Sequence, residues 1–111
     1  MRSAACDIET TVVELKAQID AGEDIQILDV REMWEFAIAH LAGSTLVPMH
    51  ELGARLDELD RSRPTVIVCH HGIRSLHAAL ALRGRGFENV RSLRGGIQRW
   101  ATEIDPTMPQ Y

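Results

Sequence analysis

The sequence predicts an α/β domain with a mainly parallel sheet and helices on both faces. Three observations carry this. Short β-branched or apolar runs alternate with segments of helical periodicity, joined by short connections. The run Ile25 to Val30 is nearly continuous in Ile, Leu and Val, the pattern of a strand covered on both sides. Asp29, Arg31 and Cys69 all fall at the carboxyl ends of such runs, where ligands gather in sheets of this type.

Taken in order, the elements begin with a helix. Thr10 reads as its N-cap, Val12, Leu15 and Ile19 recur at helical spacing, and Gly22-Glu23-Asp24 closes it. The strand Ile25 to Val30 follows. Glu32 to Ala39 reads as a short helix with Trp34, Phe36 and Ile38 only partly sorted to one face, and Gly43-Ser44 turns into a short strand, Thr45 to Pro48. Leu52, Leu56 and Leu59 mark an amphipathic helix that Arg61-Ser62-Arg63-Pro64 breaks. Val66, Ile67 and Val68 then lead as a strand into Cys69, a glycine-containing turn follows, and the Ala- and Leu-rich stretch Leu76 to Leu82 reads as a helix. Gly84 and Gly86 stop that helix, Asn89 to Leu93 forms a last strand, and Gly95-Gly96 opens a final helix with Ile97, Trp100, Ala101 and Ile104 on one face. Pro106 and Pro109 argue against its continuation. With no internal repeat, low-complexity tract or linker, the expectation is one domain over 1–111, its core at about 8–104 and a tail at 105–111.

Composition narrows the function classes. Twelve basic against 16 acidic residues give a formal net charge of −4, which offers no general attraction to nucleic acid or to an anionic membrane. No apolar run approaches the ~18 residues of a membrane helix, and the N-terminus lacks a long apolar stretch, so neither membrane insertion nor export is expected. The two cysteines, Cys6 and Cys69, are no disulfide framework and fit a reducing compartment, so a cytoplasmic protein is expected.

The segment Cys69-His70-His71-Gly72-Ile73-Arg74-Ser75 carries the chemistry. A free thiol with a pKa of about 8.5 is only a few per cent thiolate at neutral pH, so a reactive cysteine needs help. Help is at hand where a strand gives way to a helix, because the unpaired amides and the dipole at a helix start favour an anion. Gly72 lets the loop curl so that the amides of His71 to Ser75 converge on the sulfur, and Arg74 adds a positive charge. His70 and His71 adjoin the cysteine but have no zinc spacing, so no metal site is expected; they line the mouth and shape its charge around pH 6 to 7, about the ordinary histidine range. A buried, inert cysteine is the plain alternative.

The same segment resembles the active-site loop of rhodanese-like domains, cysteine-x-x-glycine-x-arginine-serine. Asp29-Val30-Arg31 with Glu35-Phe36 and His40-Leu41, and the close Leu93-Arg94-Gly95-Gly96-Ile97-Gln98-Arg99-Trp100, are similar to two further signatures of that family. One departure is Ala39-His40-Leu41-Ala42-Gly43-Ser44, which lacks a glycine and the proline usual there. The resemblance implies a three-layer domain with about five strands and a sulfurtransferase that uses no cofactor. Cys69 would take a sulfane sulfur from thiosulfate or a persulfide and pass it to cyanide, a small thiol or a sulfur-carrier protein. It also implies that His70, His71, Gly72, Ile73, Arg74 and Ser75 form the substrate cradle and that Asp29 and Arg31 support the loop. The tail from Trp100 to Tyr111 resembles the end of rhodanese domains fused to adenylyl-transferring enzymes, which suggests a sulfur-carrier partner.

Two rivals stand beside this reading. Cysteine-dependent phosphatases and arsenate reductases place one more residue between cysteine and arginine than the four found here, His70 to Ile73, so this smaller ring suits a single sulfur better than a phosphoryl group. A noncatalytic interaction module of the same family is the other, and the retained Cys69 argues against it. Cys6 could serve as a resolving thiol, but its place in a chain terminus makes an incidental role the simpler expectation.

Overall fold

The computed structural model describes residues 8–111. The strands are β1 (Glu9–Thr10), β2 (Gln26–Asp29), β3 (Thr45–Leu46), β4 (Thr65–Val68) and β5 (Val90–Leu93). The α-helices are α1 (Val12–Asp20), α2 (Met33–Ile38), α3 (Met49–Leu52), α4 (Ile73–Arg83) and α5 (Gly96–Glu103), with a 3-10 segment, Gly53–Glu58, after α3. All pairings are parallel, in the order β1-β5-β4-β2-β3. The α/β class, parallel sheet and strand number are as expected from the sequence.

Period-two alternation builds the layers. On β2, Ile27 enters one apolar cluster and Leu28 the other; on β4, Val66 and Val68 face one side and Ile67 the opposite, which Cys69, just past the strand, shares. The first side is covered by Val12 and Leu15 of α1 and Ile97 and Trp100 of α5. The second is covered by Leu52 of α3, Leu56 of the 3-10 segment, and Ala78, Ala79 and Leu82 of α4. Every residue of β4 is buried, which is why the strand at the middle of the sheet reads as an unbroken apolar run.

Local expectations are corrected or completed at four points. Thr10 is not the N-cap of α1: it pairs with Leu93 in β1, and Thr11 caps the helix, its hydroxyl accepting from the Glu14 amide. A two-residue edge strand has no periodicity to detect. Leu52, Leu56 and Leu59 are all buried as expected, but the chain winds there as one short α-helix and a 3-10 segment that begins at Gly53, a poor helix former. On α2, whose apolar residues are only partly sorted to one face, the buried residue is Glu35, while Trp34 is 61% exposed. Finally, Ile73, Arg74 and Ser75 are not loop but the first turn of α4, which starts three residues before the expected Leu76. Among the described residues, no helix is long and apolar enough to cross a membrane.

Ile67, fully buried in β4, and Val13, exposed on α1, provide a contrast. Ile67→Ala is expected to cost about 3 kcal/mol in urea unfolding. Val13→Ala should stay within about 0.5 kcal/mol of wild type.

Candidate active site

Cys69 follows β4 directly, and the chain reaches α4 through only His70, His71 and Gly72. So short a connection needs a backbone conformation that a side chain resists. Gly72 supplies it at φ +102° as the N-cap of α4. Its own amide then donates to Cys69 Sγ at 3.1 Å, and the Ser75 amide, in the first turn of the helix, donates at 3.3 Å. Both belong to the set of amides that helix geometry leaves without a partner, so the sulfur takes the place of an N-cap oxygen. The thiol is unpaired with any other cysteine and 1% exposed. It also donates to Ser75 Oγ at 3.3 Å.

The loop's carbonyls are held from below. Ile97 and Gln98, in the first turn of α5, donate their amides to the oxygens of Cys69 and His70 at 2.9 and 3.0 Å. Gly96, at φ +58°, makes this approach possible, since a Cβ there would overlap both of those oxygens. The Gly95-Gly96 pair is therefore the floor of the cysteine loop as well as a helix start.

A charged cluster flanks the loop. Arg74 makes two parallel bonds to Glu35, Nη1 to Oε1 at 2.8 Å and Nη2 to Oε2 at 2.9 Å. Glu35 Oε1 also accepts from the Glu32 amide, closing a capping box on α2. Tyr111 donates its hydroxyl proton to Glu35 Oε2 at 2.8 Å. These bonds, led by that from Arg74, outweigh burial and hold the Glu35 carboxyl at a pKa of about 2, from an ordinary 4.5. Arg74 is raised in turn, principally by Glu35.

Asp29 and Arg31 form a second, fully buried pair. Arg31 Nε donates to Asp29 Oδ1 at 2.9 Å and Nη2 to Oδ2 at 2.7 Å. Arg31 also donates to the Ala39 carbonyl at 2.7 Å and to the Tyr111 hydroxyl at 2.8 Å. These contacts pin the segment that carries α2, and they reach the cysteine loop by way of Tyr111, Glu35 and Arg74. The ring of Tyr111 stacks on His70, which stacks on His71, with 4.0 Å between centroids in each case. Burial, then the neighbouring His71, pushes the His70 pKa below its ordinary 6.5. His70 is thereby less able to carry charge at pH 6 to 7 than the sequence suggested. His71 and Ile73 are exposed at the mouth.

Of the amides from His71 to Ser75 expected at the sulfur, those of Gly72 and Ser75 donate to it, Arg74 turns its guanidinium to Glu35, and three participants come from elsewhere. Tyr111 had no signal in the sequence. Glu35 lay in a recognised motif without an assigned role. Ser92 sits within hydrogen-bond distance of Ser75 Oγ, at 2.7 Å. A signal for it existed: residues 90 and 92 share a face of β5, the face on which Val90 joins Cys69 in the core, so a serine there had to be buried beside the thiol. Cys6 lies outside the described residues. Among those residues, no group of three or more His, Cys, Asp and Glu side chains is placed to hold a metal ion.

The model of the rhodanese-like domain matches residues 11–103. The chain belongs to the rhodanese-like domain family. It is 41% identical over 87 residues to the thiosulfate sulfurtransferase GlpE of Pseudomonas fluorescens, covering 78% of this chain and 80% of that protein. It is 35% identical over 100 residues to the probable adenylyltransferase/sulfurtransferase MoeZ of Mycobacterium tuberculosis, covering 88% of this chain but 26% of MoeZ. The chain thus spans about a quarter of the length of that relative. A rhodanese-related protein from Thermoplasma volcanium superposes with a TM-score of 0.76 at 31% identity, over 86% of this chain and 92% of that one.

Two substitutions test this architecture. Gly96→Ala should lower stability by about 2 kcal/mol or more in chemical unfolding, whereas Gly53→Ala, with open space around its Cβ, should stay within about 0.5 kcal/mol. Glu35→Gln removes a carboxylate whose pKa is depressed on folding, so its contribution is fully present above the ordinary 4.5 and disappears as pH falls through about 2. A loss of about 2 kcal/mol at pH 7 is expected, with the gap to wild type closing as unfolding is followed from pH 4.5 downward.

Proposed function

We propose that this chain is a sulfurtransferase that carries a sulfane sulfur on Cys69. The observation that supports it most is the placement of Sγ at the end of β4 under the amides of Gly72 and Ser75, where an anionic sulfur is stabilised without any added group. The Cys69 thiolate attacks the outer sulfur of thiosulfate. A new S–S bond forms to Sγ, the bond to the sulfonate sulfur breaks, and sulfite leaves with the electron pair. The product is a Cys69 persulfide whose terminal sulfur bears the charge.

In the second half-reaction an acceptor attacks that terminal sulfur. Cyanide leaves as thiocyanate and a thiol leaves as a persulfide, and in both cases the electron pair of the broken S–S bond returns to Sγ. A persulfide donor enters in the same way as thiosulfate. His70, His71, Gly72, Ile73, Arg74 and Ser75 form the cradle. Arg74 remains 39% exposed while it holds Glu35, so part of its charge faces the solvent from which an anionic donor arrives. Asp29 and Arg31 act at a distance by fixing the segment that carries Glu35. The pairing of adenylyltransferase and sulfurtransferase in the name of MoeZ favours a sulfur-carrier protein as acceptor, alongside small thiols.

Intact mass decides the central step. Incubation with thiosulfate should add one sulfur atom to the wild-type chain, and cyanide should remove it. No gain in wild type, or an equal gain in Cys69→Ser, defeats the proposal. Cys69-dependent release of phosphate from an aryl phosphate would instead support phosphatase chemistry.

A further inference from the structure

The sulfur's hydroxyl partner is itself part of a short buried chain. Cys69 Sγ donates to Ser75 Oγ at 3.3 Å, Ser75 Oγ lies 2.7 Å from Ser92 Oγ, and Ser92 Oγ donates to the Gly72 carbonyl at 3.4 Å. Ser75 and Ser92 are wholly buried, so water does not substitute for a missing partner. Each hydroxyl has a single proton to give. While the sulfur keeps its own proton, one direction satisfies every group: Cys69 to Ser75, Ser75 to Ser92, Ser92 to the Gly72 carbonyl.

Ionisation reverses the demand. Once the thiol proton has left for solvent, Sγ can only accept, and the Ser75 proton has two competing acceptors, Sγ at 3.3 Å and Ser92 Oγ at 2.7 Å. Turning to the sulfur requires Ser92 to turn as well, donating to Ser75 and leaving the Gly72 carbonyl. That carbonyl keeps the Leu76 amide at 3.2 Å, so reversal is feasible. Until it happens, the thiolate has only its two backbone donors.

We infer that Ser92 is a positioning residue that restrains ionisation of Cys69 by holding the proton of Ser75. Two adjacent serines then act in opposite senses: Ser75 is the hydroxyl donor that the sulfur anion needs, and Ser92 competes for it. Removing Ser92 deprives the thiol form of its acceptor for a buried hydroxyl proton, and leaves the thiolate form short only of a donor to an oxygen. An orphaned donor is the costlier of these, so the balance moves toward the thiolate. The restraint falls on the loss of the thiol proton that precedes attack; in the persulfide Sγ carries no proton and has none to give to Ser75. This role concerns the same sulfur proposed to carry the persulfide, but its test reads ionisation rather than sulfur transfer, so either can fail alone.

The test is the pH dependence of iodoacetamide alkylation at Cys69, followed by peptide mass so that Cys6 is resolved separately. Ser92→Ala should lower the apparent thiol pKa by about 0.5 to 1 unit, and Ser75→Ala should raise it by a similar amount. In the Ser75→Ala background, Ser92→Ala should have no further effect, because its path to the sulfur is gone. Ser92→Thr keeps the hydroxyl and should titrate as wild type, which separates hydrogen bonding from strand packing. An unchanged or raised pKa in folded Ser92→Ala overturns the inference. So does a Ser92→Ala effect that persists without Ser75, or a Ser92→Thr shift as large as that of alanine.

Discussion

The turn from β4 into α4 at Gly72 is the constraint from which the site follows. A single residue at positive φ reverses the chain quickly enough for the start of a helix to face the sulfur at the end of the preceding strand. That proximity has to be supported from outside, since the carbonyls of Cys69 and His70 need donors of their own. α5 provides them through the amides of Ile97 and Gln98, and only a glycine at position 96 allows the approach. The cysteine loop is thus clamped between two helix N-termini, one giving amides to its sulfur and the other to its oxygens.

Charge in the site is handled by pairing rather than by exposure. Asp29 and Arg31 are buried together with geometry that satisfies most of their polar atoms, and Glu35 is buried against the half-exposed Arg74. Breaking either pair leaves an uncompensated charge, so loss of one partner costs more than the intact pair adds over an apolar replacement. Tyr111 joins them by accepting from Arg31 and donating to Glu35, while its ring covers His70. The position of Arg74 beside the thiol therefore depends on α2, on the end of β2 and on the tail at once.

Much of the fold was legible because β2 and β4 are buried on both faces and so leave continuous apolar runs, and because α5 sorts its apolar residues to one side. β1 was not, since two edge residues carry no period. α2 was legible as a helix but its buried face was not, because that face is held by a carboxylate, and hydrophobicity cannot signal a charge bonded by its own N-cap and by two other segments. The start of α4 was placed late because Ile73, Arg74 and Ser75 read as a continuation of the turn, whereas Gly72 completes the turn alone.

By itself the sequence determined the parallel α/β class, the family resemblance and the cysteine at the end of a central strand, because strand burial and glycine placement are local properties of the chain. The Glu35–Arg74 bond, the reach of Tyr111 and the contact of Ser75 with Ser92 were decided only by the tertiary structure. Each joins side chains far apart in sequence, and their distances are set by how β2, β4, β5 and the helices pack. Val66 to Ser75 names the reactive element; the surrounding strands and the tail determine which groups it can address.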